Sequence, residues 1–168
     1  MLGKRSVAVL ALVFILGVLV VAGPAGAVNE RDALRGLQEV GVTVSYDSGV
    51  DLGNLPEVRL QSDVEIELRK SGIRVSTKDA ASQAQDPSIL YVHVNLLKST
   101  MMYVYSLTLQ LDQRVVLKRN PSTQIIATTW ETSSLTFAGV RDPSEKIREH
   151  TLKLVDKFVG DYLKANQR

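Results

Sequence analysis

Apolar and polar residues alternate along Val40, Val42, Val44 and Tyr46, against Gly41, Thr43 and Ser45. That period of two predicts a half-buried first strand. A turn-rich stretch from Asp47 to Gly53 follows, and Asn54, Pro56 and Glu57 then carry the start signals of a helix, with Asn54 as its cap. Leu60, Val64 and Leu68 form its buried stripe, and Arg69, Lys70 and Gly72 supply its end. Ile73 to Ser76 predicts a short strand, and the polar run Lys78 to Asp86, closed by Pro87, predicts an exposed loop.

The clearest pattern comes next. Leu90, Val92, Val94 and Leu96 alternate against Tyr91, His93 and Asn95, and Tyr103, Tyr105, Leu107, Leu109 and Leu111 against Val104, Ser106, Thr108 and Gln110. The two runs predict a hairpin turning near Lys98-Ser99-Thr100, with Val92 near Leu107 and Val94 near Tyr105 so that the apolar faces coincide. The second strand extends through Val115 and Leu117 to a turn at Asn120-Pro121-Ser122-Thr123, and a return strand runs from Ile125 towards Phe137. There Ile126, Thr128 and Trp130 share one parity, whereas Leu135 and Phe137 have the other. A β-bulge between Glu131 and Ser134 is expected to bring both sets to one face. Asp142-Pro143-Ser144-Glu145 then opens a helix with apolar residues Ile147, Leu154, Val155, Phe158, Val159, Tyr162 and Leu163, ending near Asn166.

The order β-α-β-β-β-β-α predicts an α+β fold, a two-layer α/β sandwich with a mostly antiparallel sheet and two helices packed on one face. The uncovered face would then carry Tyr91, His93, Asn95, Ser106 and Thr108, the candidate binding residues.

Ahead of this domain, Lys4 and Arg5 precede an apolar run from Val7 to Ala22, a Gly23-Pro24 break and the small residues Ala25-Gly26-Ala27. These are the three parts of a secretory signal peptide, so residues 1–27 are expected to be cleaved and 28–168 to form one domain in the periplasm or the medium. As an uncleaved anchor the 16-residue run is short, because at 1.5 Å per residue it does not reach across a core of about 30 Å. The chain has no cysteine, which excludes a lipid anchor on cysteine, a disulfide framework and thiol catalysis. Of 20 basic and 18 acidic residues, the leader holds Lys4 and Arg5 and no acid, leaving 18 of each. A chain so balanced offers no basic field for nucleic acid.

The blocks Leu34-Arg35-Gly36-Leu37, Asp63 to Ile73, Leu90 to Asn95, Ala127 to Trp130 and Leu154 to Leu163, in that order and spacing, look like a group of short exported bacterial proteins of unknown function. The resemblance implies a bacterial periplasmic or secreted location and no activity.

Candidate chemistry is sparse. His93 and His150 are the only histidines, and no nucleophile-elbow, P-loop, dinucleotide-binding or zinc-protease string occurs. Asp47, Asp51 and Asn54 lack the spacing of a calcium loop and fit turns and caps. Asp63 and Glu67 share a helix face with Arg59 and Lys70 near enough to balance them, a solvated surface rather than opposed carboxylates. Adjacent Met101 and Met102 point apart on a strand, which suits a hairpin tip better than a copper site. The expectation is a non-catalytic envelope module, with no cofactor or metal, that engages a protein partner through its open sheet face or an edge strand. A small carrier of an apolar ligand is the alternative, and a hydrolase using His93 is the less favoured one.

Overall fold

The computed structural model describes residues 29–47, 52–139 and 141–167. The leader expectation, and the Asp51 part of the calcium-loop reading, lie outside these residues. The described chain opens with a 3-10 turn, Glu30–Leu34, and continues through β1 (Glu39–Tyr46), α1 (Glu57–Lys70), β2 (Arg74–Ser76), α2 (Lys78–Gln83), β3 (Ser88–Lys98), β4 (Tyr103–Leu117), β5 (Asn120–Ala138) and α3 (Ser144–Asn166). The five strands form one sheet in the order β2-β1-β3-β4-β5. This is the expected α+β sandwich, with a mixed sheet: β1 pairs in parallel with β2 and β3, and β3, β4 and β5 are antiparallel neighbours.

Alternation places the core on one face of the sheet. Val40, Val42 and Val44, Leu90, Val92 and Val94, and Tyr105, Leu107, Leu109 and Leu111 are all buried, joined by Leu60, Val64 and Leu68 of α1 and Ile147, Val155 and Phe158 of α3. Trp130 of β5 closes this layer, with its ring edge-on to Phe158 at a centroid distance of 5.0 Å. Leu163, expected on the buried stripe of α3, is exposed, and Thr151 occupies the buried position between Ile147 and Val155.

The expected stop signal of α1 holds and its expected cap does not. Gly72 adopts φ +81°, and the Ile73 amide donates to the Leu68 carbonyl at 3.0 Å, closing the helix with a left-handed glycine. At the other end Asn54 does not cap: the helix begins after Pro56, and Asn54 Nδ2 donates to Asp142 Oδ2 at 2.6 Å. Asp142 serves α3, its Oδ1 accepting from the Ser144 amide at 3.0 Å and hydroxyl at 2.6 Å. The Ser144 and Asn54 hydrogen bonds hold its carboxyl below the usual aspartate range.

Four further expectations are corrected. The β3–β4 loop is Ser99–Met102, which pairs Lys98 with Tyr103 and so sets Val92 opposite Leu109 and Val94 opposite Leu107, two residues from the expected partners but with the same faces inward. The turn between β4 and β5 is Lys118-Arg119, and Asn120 already pairs with Leu117. Pro121, Ser122 and Thr123 are instead looped out of register, a place where proline needs no ladder partner. The polar run Lys78 to Asp86 is not simply a loop: Thr77 Oγ1 accepts from the Ala80 amide, and α2 follows. Ala81 of α2 is buried on the side of Gly41, so a short helix covers one end of the face expected to be open.

The last correction concerns β5. Pairing with β4 is unbroken from Trp130 to Ala138, so no bulge lies between Glu131 and Ser134. The irregularity sits one turn earlier, where Leu111 pairs with Trp130 and Asp112 with Thr128, leaving Thr129 as the extra residue. Thr129 Oγ1 donates to Gln113 Oε1 at 2.7 Å and Thr128 Oγ1 to Asp112 Oδ1 at 2.7 Å, which pins the bulge there. Trp130 therefore faces the core with Thr132, Ser134 and Thr136, and Leu135 and Phe137 project from the opposite face.

The Trp130 edge of the core is tied down by Asp161 of α3, whose Oδ2 accepts from Trp130 Nε1 at 3.2 Å and Lys157 Nζ at 3.1 Å and whose Oδ1 accepts from Arg31 Nε at 3.2 Å. Burial alone would raise its pKa, but the hydrogen bonds from Lys157 and Trp130, with the charges of Lys157 and Arg31, hold it below the ordinary value. A depressed carboxylate stabilises the fold above its unfolded pKa of about 3.9 and loses that contribution as pH falls through the lower folded value. Wild type is expected to be more stable than Asp161→Asn at neutral pH, and the gap to close below about pH 3.9. Urea unfolding at several pH values, followed by Trp130 fluorescence, reads this directly.

Candidate functional site

The face opposite the core is built from the alternate residues of the same strands. Register aligns them in rows: Ser45, His93, Thr108 and Ser133; Asn95, Ser106 and Leu135; Leu97, Val104 and Phe137. Tyr91 precedes these beside Thr43, Gln110 and Glu131. The five residues singled out from sequence, Tyr91, His93, Asn95, Ser106 and Thr108, thus share one face on two neighbouring strands. α2 covers the far end of that face over Gly41, and the remainder is exposed or half-buried.

The polar part is partly knit together. Asn95 Nδ2 donates to Ser106 Oγ at 3.2 Å, and the Tyr91 and His93 rings stack with centroids 5.8 Å apart and planes 6° from parallel. Thr108 is the cross-strand partner of His93, but the hydrogen bond to its Nδ1 comes from the other side, from Ser45 Oγ at 2.8 Å. A serine hydroxyl on an imidazole is the beginning of a nucleophilic triad. Among the described residues, however, no carboxylate hydrogen-bonds the ring. Ser45 also lies in a regular strand paired to β3, without the exposed turn that presents a nucleophile with its oxyanion donors. The arrangement orients His93; it does not assemble the remaining parts of acyl-transfer chemistry.

The apolar part is what sequence reasoning missed. Leu97, Leu135 and Phe137 are 68%, 74% and 71% exposed and meet through Val104 at the corner where β3, β4 and β5 end. Met101 and Met102 lie in the adjoining loop and are also exposed. The signal was present in the unbroken alternation of Glu131, Ser133, Leu135 and Phe137 against Thr132, Ser134 and Thr136. Assuming that the large apolar residues must face inward hid it.

The other candidates resolve into structural roles. Tyr105 is buried and its hydroxyl shares a hydrogen bond with His150 Nδ1 at 2.7 Å; burial, then the charge of Glu149, raises the phenol pKa. Asp63 accepts from Arg148 Nε at 2.6 Å, linking α1 to α3, and Glu67 pairs with Lys70. Arg59 turns away to the Asn54 carbonyl. Among the described residues no group of three His, Asp or Glu gathers as a metal site, and no helix is long and apolar enough to cross a membrane.

No family model matches the chain, and no curated protein matches it. Among solved structures it is similar to the PelC dodecamer from Paraburkholderia phytofirmans, at 14% identity over 80% of this chain and 91% of that one, with a TM-score of 0.43. It is also similar to the hypothetical protein CT253 from Chlamydia trachomatis, at 8% identity over 74% and 97%, with a TM-score of 0.45. A third likeness is to the lipoprotein GNA1162 from Neisseria meningitidis, at 12% identity over 74% and 99%, with a TM-score of 0.36.

Proposed function

We propose that this chain is a non-catalytic binding module of the bacterial envelope that engages a protein partner through its open sheet face and the edge strand β5. The apolar corner of Leu97, Val104, Leu135 and Phe137 carries the reading, since a cluster of large apolar side chains on a sheet face is the mark of an interaction surface. The adjoining edge supports it. From Thr132 to Ala138, β5 has no charged residue and no proline, the usual protections of an edge strand. An extended segment of a partner added to that edge would set its alternate side chains beside Leu135 and Phe137. The leader of the sequence supports delivery to the envelope.

The carrier reading has less support. Leu107, Leu109 and Phe158, which would line a ligand pocket between helices and sheet, are wholly buried in the core cluster.

The test is a Leu135→Asp/Phe137→Asp variant of the exported protein, cross-linked in its native cells and analysed by native mass spectrometry with mapping of the cross-links. Wild type is expected to hold a discrete protein through β5 and an extended segment of that partner. The variant is expected to lose it while its stability stays within about 0.5 kcal/mol of wild type, because both side chains are exposed. A partner held equally by the variant, or a lipid retained with no protein, would overturn the reading.

A further inference from the structure

Beyond the Thr129 bulge, β4 and β5 continue as a two-stranded arm. The buried stripe stops at Leu111 and Trp130, and neither helix of the core layer contributes buried residues past that point. The arm rises about 3.3 Å per residue, so Arg114 to Leu117 carries it roughly 13 Å outward to the Lys118-Arg119 turn. Its cross-strand pairs are Arg114 with Ile126, Val115 with Ile125 and Val116 with Gln124. Val116, Ile125 and Ile126 are 54%, 43% and 55% exposed, a group of large apolar side chains on a projecting hairpin.

The charge of the arm is equally one-sided. From Gln113 to Trp130 the sequence holds Arg114, Lys118 and Arg119 and no acid. Elsewhere Arg31 and Lys157 pair with Asp161, Arg69 with Glu65, Arg148 with Asp63 and Lys153 with Glu149, while Arg59, Arg74, Lys98, Lys146 and Lys164 make no ion pair among the described residues, so it is the absence of any acid within the arm that sets it apart. Among the described residues none of the three arm cations makes an ion pair; Arg114 donates to the Gln85 carbonyl at 2.9 Å, which fixes its position. The nearest acid on that face is Asp112, at the base of the arm, which accepts from Thr128 Oγ1 at 2.7 Å.

We propose that this arm docks on an anionic phospholipid surface. Arg114, Lys118 and Arg119 meet the headgroup phosphates, and Val116 and Ile126, on the same face as Arg114, enter the boundary between headgroups and acyl chains. Cations framing exposed aliphatic side chains are the two components of interfacial binding, electrostatic attraction and shallow apolar burial. The site is separate from the apolar corner at the opposite end of β5, so one can fail without the other.

The exported protein, with its N-terminus established by mass spectrometry, would be floated with vesicles of phosphatidylglycerol and phosphatidylethanolamine and, in parallel, with phosphatidylcholine vesicles. Binding to the anionic vesicles alone is expected, weakening as salt rises and unaffected by inorganic phosphate at equal ionic strength. Lys118→Glu/Arg119→Glu is expected to lower the partition coefficient at least tenfold, since each cation lost from an anionic surface counts for several-fold. Val116→Ser/Ile126→Ser is expected to lower it further than salt alone. Circular dichroism confirms that each variant is folded, and a variant that unfolds is replaced by Lys118→Gln/Arg119→Gln. Equal flotation with neutral vesicles, binding indifferent to the charge changes, or an arm that cross-links only to an acidic protein would overturn the proposal.

Discussion

Phe158→Ala is expected to destabilise the protein by about 3–5 kcal/mol, the largest single loss among substitutions in α3. Phe158 is wholly buried and sets its ring against Trp130, the only tryptophan in the chain. Truncation removes the transfer free energy of the ring and leaves a cavity between α3 and the end of the sheet, where Trp130 and its tie to Asp161 lose their backing. The tryptophan makes the outcome visible. Its emission should shift to the red in the native baseline, and the urea midpoint should fall with little change in slope. An unchanged midpoint would mean that the end of the core near β5 contributes far less than its burial implies.

A methyl group at Gly41 would lie 2.6 Å from Cβ of Ala81, closer than two such atoms approach, and Lys78 Cα is 3.5 Å away. Gly41→Ala is therefore expected to force α2 off the sheet or shift the strand, at a cost of about 1–3 kcal/mol. The loss is local, so the sharper measurement is hydrogen exchange: amides of Lys78–Gln83 should lose protection while the β3–β4 hairpin keeps its own. Ala81→Gly in the same chain should restore most of it, since it removes the methyl that Gly41→Ala meets. Protection of α2 unaltered by Gly41→Ala would show that the contact yields at no cost.

The reasons why some of this was legible in the sequence and some was not are physical. Alternation of apolar and polar residues located the buried faces of β1, β3 and β4, because one buried face imposes a strict period. The capping residues of α3 and Gly72 were readable because each satisfies a local backbone requirement. The parallel pairing of β1 with β2 and β3 was not, since it joins residues far apart through α1, and no local pattern encodes which strands become neighbours. The two-residue error in the β3–β4 register arose from the loop, whose length the sequence leaves open between Lys98 and Tyr103. α2 escaped notice because its contact is a glycine against an alanine, a fit of small surfaces with no hydrophobic stripe to advertise it.

The most instructive difference lies in β5. Leu135 and Phe137 were expected inside on the ground that large apolar residues belong there, and a bulge was invoked to take them in. The real bulge at Thr129 leaves them outside. Hydrophobicity thus predicted the wrong side of the strand for residues that are not part of the core. The five polar candidates share one sheet face, but the hydrogen-bond partner of His93 came from β1 rather than from β4, again because strand order is a property of the whole chain.

The order of strands in the sheet also governs when the protein can become itself. β1 is made early, yet its partner β3 begins more than forty residues later, and the helix that closes the core over Trp130 is the last element of all. A chain emerging N-terminus first can pair β1 with β2 across α1, but the other side of β1 waits for β3 and the core stays open until α3 arrives. Contacts so distant in sequence are closed late and slowly. On the proposed route of export this postponement is an advantage: the core closes only when the C-terminal helix has been released on the far side.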